Sequence, residues 1–274
     1  MSRPPVRNQA DADAATAAAE KVVEIHRRLS KHLAAGQTLG QIDAFVGKCL
    51  DDLGCKSCFF KYSPGRMPPF PSQACLSVNE CVVHGTAGYR TEPLGEGDVL
   101  KIDIGVSYRG WIGDAAWTYV FGTPTDEVAR LCKAGKQSLA LGIEQIGPRT
   151  PYMEWAKAVQ SCVEGDFGFH LVRGLGGHGY GRKLHAPPFV SNTVPNSPFE
   201  WPEARMTPEP GTLIALEPML AVGTGQTRQE PRTWPIYSAD GSMTVHYEHD
   251  VLVTEDGNRV LTAGLTEIED VITR

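Results

Sequence analysis

The chain has 274 residues, of which 41% are hydrophobic and 21% charged; this composition is typical of a globular protein and excludes a disordered, collagen-like or coiled-coil chain. Its formal net charge of −6 offers no general basic surface for nucleic acid or for an anionic membrane. No segment approaches the roughly 18 apolar residues of a membrane span, and no apolar run suits a signal peptide. We therefore expect a soluble, cytoplasmic protein whose partner is a small molecule or a peptide.

The cysteines argue against a disulfide framework. There are seven, an odd number, in a chain long enough to bury a sizeable core. Cys55 and Cys58 form one CxxC pair, but a structural zinc site needs a second pair at similar spacing, and Cys75 and Cys81 stand too far apart to supply it. We expect reduced and mostly buried thiols.

In chain order, residues 1–12 are predicted to be a disordered tail and residues 13–274 a single domain. Apolar residues recur at helical spacing over 12–33 and again over 39–53, and each run is followed by a glycine, so both segments are predicted to be helices. The segment 62–71 contains four prolines and one glycine and is predicted to be a loop.

The second half of the chain mixes helical and β-type patterns. Residues 126–165 are predicted to be helical in two pieces, broken at Gly147 and Pro148. Short β-type runs then follow one another: Thr212–Val222, Met243–Thr254 and Arg259–Thr262. There is no internal repeat at the periods typical of solenoids or propellers, and the whole chain is predicted to be one α+β domain.

The most informative segment is Val99–Phe121. In its first half apolar residues alternate with polar or small ones, which is the period of a half-buried strand, and Asp103 lies on the less apolar face. Arg109 and Gly110 suit a two-residue turn, after which β-type residues resume. The pattern predicts a β-hairpin.

The register of this hairpin brings two aspartates together. With the turn at 109–110, Asp103 faces Ala116 and Asp114 faces Gly105, and cross-strand partners point to the same face of a sheet. The two carboxylates become diagonal neighbours, and such a pair repels unless one is protonated or a cation lies between them. The alternative is a pair of surface aspartates at a strand end. Further candidate ligands are needed to distinguish a metal site from such a pair.

Three later residues can supply those ligands. The glycines of 174–181 surround His178, which suits backbone pressed against a bound group; a GxGxxG match lies there too, but it does not open a helix as a dinucleotide site requires. Glu217 is a lone acid in an apolar run, where the alternative is a structural salt bridge. Glu248 shares a strand face with His246, and its alternative is an acid on the wet face of an edge strand.

Asp103, Asp114, His178, Glu217 and Glu248 together make four carboxylates and one imidazole. Their summed charge would neutralise two divalent cations. Such oxygen-rich sets with one nitrogen suit Mn²⁺, Fe²⁺ or Co²⁺ and tolerate Zn²⁺. Paired metals bridged by carboxylates activate water and polarise carbonyls, so hydrolysis is the natural chemistry.

With these residues in place, the sequence resembles the type I methionine aminopeptidases, over nearly all of the chain from about residue 15. The motifs that carry the resemblance are SVNECVVHG at 77–85, KIDIG at 101–105, GDAAW at 113–117, GGHGYGRKLH at 176–185, ALEPM at 215–219 and HYEHDVLVT at 246–254. The resemblance implies the pita-bread fold, an α+β fold in which helices cover the outer face of a curved antiparallel sheet.

The resemblance also implies how the metal ligands divide. Asp103 would chelate one metal, Asp114 and Glu248 would bridge both, and His178 and Glu217 would complete the shell of the other. A hydroxide between the metals would attack the scissile carbonyl. Glu217 would also serve as the proton shuttle.

Four further residues are implied to bind substrate. His84 and His185 would hydrogen-bond the substrate amide and the developing tetrahedral intermediate, so that both count with Glu217 as catalytic residues. Cys75 and Trp234 match positions that wall the methionine pocket of the family. Taken without the resemblance, each of the four is an ordinary packing or surface residue.

The sequence departs from the family in and around the pocket. Ala115 and Ala116 follow Asp114 where the family usually has Thr or Ser. Leu184 stands where an aromatic residue commonly precedes the second histidine, and the loop 62–71 differs from the family's Tyr- and Gly-containing loop. These changes leave the five predicted ligands intact and alter the predicted shape of the pocket.

The activity implied is removal of N-terminal methionine from peptides and nascent proteins, with preference for a small second residue. The partners implied are those N-termini, with proximity to the ribosome but no nucleic-acid or membrane binding, and the protein is expected to be a monomer. Two alternatives stay open. Prolidase-like or creatinase-like hydrolases of the same fold carry an extra N-terminal domain, whereas only 102 residues precede Asp103; non-catalytic relatives have lost metal ligands that this chain keeps.

Overall fold

The computed structural model describes residues 3–274. Its α-helices are α1 (Gln9–His32), α2 (Leu39–Asp52), α3 (Asp126–Ile143) and α4 (Tyr152–Gln160), with a π-helical turn at Ser161–Asp166 and 3₁₀ turns at Pro202–Arg205 and Ala263–Glu267. Its strands are β1 (Lys56–Ser57), β2 (Cys75–Val78), β3 (Cys81–Val83), β4 (Val99–Tyr108), β5 (Trp111–Phe121), β6 (His170–Leu171), β7 (Gly176–Tyr180), β8 (Ala186–Ser191), β9 (Leu213–Leu216), β10 (Met219–Ala221), β11 (Thr227–Arg228), β12 (Ile236–Ser238), β13 (Thr244–His246), β14 (His249–Val253), β15 (Asn258–Val260) and β16 (Val271–Ile272).

The first helix begins within the segment assigned to a tail. Asn8 caps α1 by accepting a hydrogen bond from the backbone N–H of Asp11, and Asp11 itself lies in the positively polarised first turn. Residues 9–12 are therefore helical, and Met1 and Ser2 lie outside the described residues. The start of α1 at Gln9 is therefore determined by the Asn8 cap and not by the spacing of apolar residues.

The helix α1 lies directly on the central hairpin. Gly113 of β5 has no room for a side chain, because a Cβ there would overlap the backbone of Ala18 in α1. This close approach lets the buried stripe of α1 cover the outer face of β4 and β5. The hairpin that carries Asp103 and Asp114 is thereby packed against α1.

The predicted hairpin is confirmed in detail. β4 and β5 are antiparallel, with Asp103 opposite Ala116 and Gly105 opposite Asp114. Arg109 and Gly110 both have positive φ, 50° and 78°, as a tight primed turn requires. The predicted break near Gly147 and Pro148 is also present, since no helix covers 144–151.

Two runs predicted as continuous strands are each interrupted at a glutamate, which corrects that prediction. The first divides into β9 and β10 around Glu217, and the second into β13 and β14 around Glu248. β9 pairs with β14 in a five-stranded sheet, and β10 pairs with β13 in a three-stranded one. The two segments pass from one sheet to the other at the same level, between the Leu216–His249 and Met219–His246 pairs. Glu217 and Glu248 therefore lie side by side outside the strand pairing.

The remaining topology encloses this junction. β4 and β5 form a second five-stranded sheet with β1, β2 and β16, and β3 joins β11 and β12. Apart from the parallel pairing of β16 with β5, the strand pairs are antiparallel. No helix among residues 3–274 has both the length and the apolar run that crossing a membrane would need.

Candidate metal centre and active site

The five predicted metal ligands meet at the junction of the two halves of the fold. Asp103 and Asp114 project from the hairpin, and the backbone N–H of Glu248 donates to the carbonyl of Ala116 at 2.9 Å, which ties the second half to β5. Asn192 holds the carbonyl of Glu217 through its side-chain amide at 3.0 Å. Glu248 is 2% exposed, which rules out the alternative of an acid on a wet edge.

His178 faces the same cluster from β7. Its Nε2 lies 3.7 Å from Oδ2 of Asp114 and 3.8 Å from Oε1 of Glu217. Its Nδ1 is 3.1 Å from the carbonyl oxygen of Gly179, an acceptor that places the ring proton on Nδ1. The lone pair of Nε2 is therefore directed at the acids, as metal coordination requires.

The electrostatics of the cluster call for a cation. Burial raises the pKa of Asp103 to about 7. Burial and then the neighbouring carboxylates raise the pKa values of Asp114 and Glu248 well above the ordinary range, and burial and then Asp103 do the same for Glu217. Within residues 3–274 no Lys or Arg lies within 4.0 Å of these four acids, so the structural salt bridge considered for Glu217 is absent there.

Orphaned polar atoms mark the place where a metal fits. Oδ1 of Asp103 and Oδ1 of Asp114 are buried without any hydrogen-bond partner in the described chain. Ligand atoms of Asp114, His178 and Glu248 lie within 4.8 Å of one another. Anionic oxygens and one neutral imidazole, buried and unpaired, are a donor set for a divalent cation of intermediate softness.

A further carboxylate supports the hairpin aspartate. Asp250, which is fully buried, accepts the backbone N–H of Asp114 at 2.8 Å. No sequence pattern indicates a role for Asp250 apart from its strand phase with Glu248. Its hydrogen bond fixes the backbone that carries Asp114.

The two predicted substrate histidines line the same cavity. Burial, with a smaller effect of His185, lowers the pKa of His84 to about 4, and burial lowers the pKa of His185. The ring centroids of His185 and His178 are 4.4 Å apart. Both substrate histidines are thus neutral at pH 7 and each can donate one hydrogen bond.

A cavity of about 200 Å³ unites the predicted residues. Its lining includes all nine: Cys75, His84, Asp103, Asp114, His178, His185, Glu217, Trp234 and Glu248. It also includes Leu184 and four residues that the sequence analysis did not single out: Phe59, Tyr62, Pro64 and Phe70.

Three of these four residues, Tyr62, Pro64 and Phe70, belong to the proline-rich loop 62–71. Trp234 Nε1 donates to the carbonyl of Pro68 at 3.0 Å, and the Phe70 ring meets Trp234 edge-on with centroids 5.1 Å apart. The Tyr62 hydroxyl lies 2.9 Å from Nδ1 of His185. The loop 62–71 therefore forms the aromatic wall of the cavity, and the aromatic residues within 59–70 are its signal in the sequence.

The fold and the site together define a metal-dependent hydrolase, and comparison with known proteins gives its family. The sequence model of metallopeptidase family M24 matches residues 13–255. The chain therefore belongs to metallopeptidase family M24.

Two relatives of this family are similar over nearly their full length. The chain is 33% identical to "Methionine aminopeptidase" of Aquifex aeolicus, over 89% of this chain and 93% of that protein. It is 34% identical to "Methionine aminopeptidase 1" of Mycobacterium tuberculosis, over 95% of each.

Solved structures agree with this placement. The methionine aminopeptidase of Thermotoga maritima superposes with a TM-score of 0.84 at 28% identity, covering 94% of this chain and 99% of that one. The prolidase of Pyrococcus furiosus superposes with a TM-score of 0.71 at 17% identity and shares the fold; the match covers 94% of this chain and 65% of the prolidase. The pita-bread fold predicted from the motifs is confirmed.

Proposed function

We propose that the protein is a methionine aminopeptidase, which hydrolyses the first peptide bond of peptides and proteins that begin with methionine. The observation that carries the proposal is the single cavity in which the five predicted ligands, two neutral histidines and an apolar wall adjoin. The names of two relatives matched over nearly their whole length support it.

Two divalent cations are proposed as cofactors, with Mn²⁺, Fe²⁺ or Co²⁺ preferred and Zn²⁺ tolerated. Asp103, Asp114 and Glu248 would hold one, and Asp114, His178, Glu217 and Glu248 the other. When bound, such ions lower the pKa of water and polarise a carbonyl. The orphaned oxygens of Asp103 and Asp114 support this assignment.

The protein's own residues then move the proton and hold the substrate. Glu217 would take a proton from the attacking water on a carboxylate oxygen and pass it to the leaving amine. His84 and His185, neutral because burial disfavours their charged forms, would each donate a hydrogen bond to the peptide amide or to the oxygen that gains charge. Donors positioned in advance spare the cost of reorganising water.

The apolar end of the cavity is proposed to bind the methionine side chain. Cys75, Trp234 and Leu184 lie in one packed cluster with Phe59 and Phe70. A closed wall of this kind suits an unbranched thioether, which also gains from contact with aromatic rings. The limited volume of about 200 Å³ favours a small residue after the methionine.

The other parts of the proposal concern the chain as a whole. Residues 13–274 would form one catalytic domain, active as a cytoplasmic monomer. The substrates would be peptide and nascent-protein N-termini, met near the ribosome without binding of nucleic acid. The runner-up is a prolidase-like hydrolase, favoured by the shared fold.

The decisive experiment uses metal-reconstituted protein on three peptides. Met-Ala-Ser should be cleaved after methionine, while Ala-Ala-Ser and Ala-Pro should be cleaved at least about tenfold more slowly, because alanine leaves the apolar pocket empty. Preferential cleavage of Ala-Pro would favour the prolidase-like alternative. No cleavage of any peptide by fully metal-loaded protein would refute both.

A further inference from the structure

A second group of metal-ligating atoms lies beside the first. Ligand atoms of Glu217, His246 and Glu248 lie within 4.8 Å of one another, as do those of Asp114, His178 and Glu248. Glu248 belongs to both groups, and each group contains one imidazole. The five-ligand set inferred from the sequence does not include His246.

The backbone of His246 is held firmly in place. Its N–H donates to Thr118 Oγ1 at 3.1 Å, and Thr118 Oγ1 donates to its carbonyl at 2.7 Å, so β13 is fastened to β5 on both sides of the residue. It pairs with Met219, two residues after Glu217. The residue is 1% exposed, so its ring is removed from bulk solvent.

The imidazole points at Glu217 without forming a hydrogen bond to it. Nε2 of His246 lies 3.2 Å from Oε2 of Glu217, yet it has no hydrogen-bond partner in the described chain. A buried ring nitrogen left unpaired is costly. The other oxygen of this carboxylate, Oε1, faces His178 at 3.8 Å, so the two oxygens of Glu217 are divided between two imidazoles.

The distance is that of two atoms bound to the same ion. Ligand bonds to zinc-like cations are about 2.0–2.2 Å long, and adjacent ligands at octahedral or tetrahedral angles then stand roughly 3.0–3.5 Å apart. The 3.2 Å between Nε2 of His246 and Oε2 of Glu217 falls in that range. A hydrogen bond would need the N–H directed at the oxygen, which this pair lacks.

We propose that His246 is a sixth metal ligand, which holds a divalent cation together with Glu217 and Glu248. The inference rests on the proposed metal centre but not on the identity of the peptide. The dinuclear centre then contains two imidazoles instead of one. Because nitrogen ligands favour Co²⁺ and Zn²⁺ over Mn²⁺, His246 biases the site towards those ions.

The first test counts imidazoles in the unmodified protein. X-ray absorption spectra of the protein loaded with two Co²⁺ or two Zn²⁺ should show about one imidazole per metal on average. An average near one half, which is one imidazole shared over two ions, would overturn the proposal. This measurement depends neither on a variant nor on activity.

The second test compares metal binding by variants. His246→Gln should weaken the binding of one Co²⁺ roughly tenfold or more, shift the visible spectrum of the Co²⁺ protein and affect Mn²⁺ affinity less. The matched control is His32→Gln, since His32 lies on α1 and stacks on Phe45. This variant should leave the Co²⁺ affinity, the Co²⁺ spectrum and the Mn²⁺ affinity unchanged. Circular dichroism of each variant reports whether the fold is kept.

The outcomes separate this inference from the proposed function. If His246→Gln folds and binds Co²⁺ with the affinity and spectrum of the unmodified protein, His246 is not a metal ligand and the inference is wrong. The proposed function is then still supported as long as the unmodified protein releases methionine. If the unmodified protein binds no divalent cation at all, both fail.

Discussion

The hydroxyl of Tyr62 and Nδ1 of His185 are 2.9 Å apart, so the proline-rich loop reaches the second substrate histidine. A phenol that donates to Nδ1 leaves the imidazole proton on Nε2. The rings also touch, with centroids 5.5 Å apart. Tyr62 is thus placed to set both the tautomer and the orientation of His185.

Tyr62→Phe should therefore lower kcat/KM for Met-Ala-Ser while leaving the ring packing intact. A neutral hydrogen bond contributes about 0.5–1.5 kcal/mol, which corresponds to a loss of roughly twofold to twelvefold. Steady-state kinetics measure it, and Tyr108→Phe at the tip of the hairpin serves as the control. A variant as active as the unmodified protein would show that the tautomer of His185 does not depend on Tyr62.

Removal of metal is expected to abolish activity, and Asp114→Asn to reduce it by orders of magnitude, because a neutral amide is a poor substitute for a bridging carboxylate. Peptidase assays combined with elemental analysis measure both effects. Asp51→Asn, an exposed acid on α2, should change neither activity nor metal content. Full activity in exhaustively chelated protein would contradict the metal-dependent mechanism.

Glu217→Gln should lower kcat far more than it changes KM. The side chain keeps its size, but it can no longer accept the proton that is transferred in the transition state. Kinetics at matched metal occupancy separate this effect from loss of metal. Near-normal turnover in the metal-loaded variant would exclude Glu217 as the proton shuttle.

Leu184→Phe should sharpen discrimination between methionine and leucine at the substrate N-terminus. Leu184 is buried in the pocket wall, and an aromatic face there would add a sulfur contact of about 0.3–1.5 kcal/mol. The ratio of kcat/KM for Met-Ala-Ser to that for Leu-Ala-Ser should rise by roughly twofold to twelvefold. If the ratio stays the same or falls, the side chain at 184 does not contact the methionine sulfur.

The metal-free protein should lose stability as the pH rises above about 6.5. Burial raises the pKa values of Asp103, Asp114, Glu217 and Glu248 in the folded state, so the folded chain keeps protons that the unfolded chain has released. Stability then falls with rising pH. Burial lowers the pKa values of the buried histidines. Below about pH 6.5 these histidines therefore make the stability rise with rising pH.

Thermal unfolding from pH 6.5 to 8 measures this dependence. The Tm of chelated protein should decline over that range, while bound metal should raise the Tm most at the upper end. A Tm of chelated protein that rises between pH 6.5 and 8 would contradict the assigned pKa shifts.

Much of the metal site could be predicted because its first part is local. The alternation along Val99–Phe121 and the turn at 109–110 determine the register of one hairpin, and that register alone makes Asp103 and Asp114 neighbours. The identities of His178, Glu217 and Glu248 followed from motifs. That these three residues lie close together in space could not be predicted from any single segment.

The sequence by itself determined the hairpin, the helices and the types of ligand, since these depend on spacing between near neighbours. Only the tertiary structure decided the rest. The strand breaks at Glu217 and Glu248 arise where two sheets part, and the loop 62–71 becomes a pocket wall through the contact of Pro68 with Trp234, 166 residues away. Contacts of that range leave no period in a sequence, because each depends on how separate elements pack.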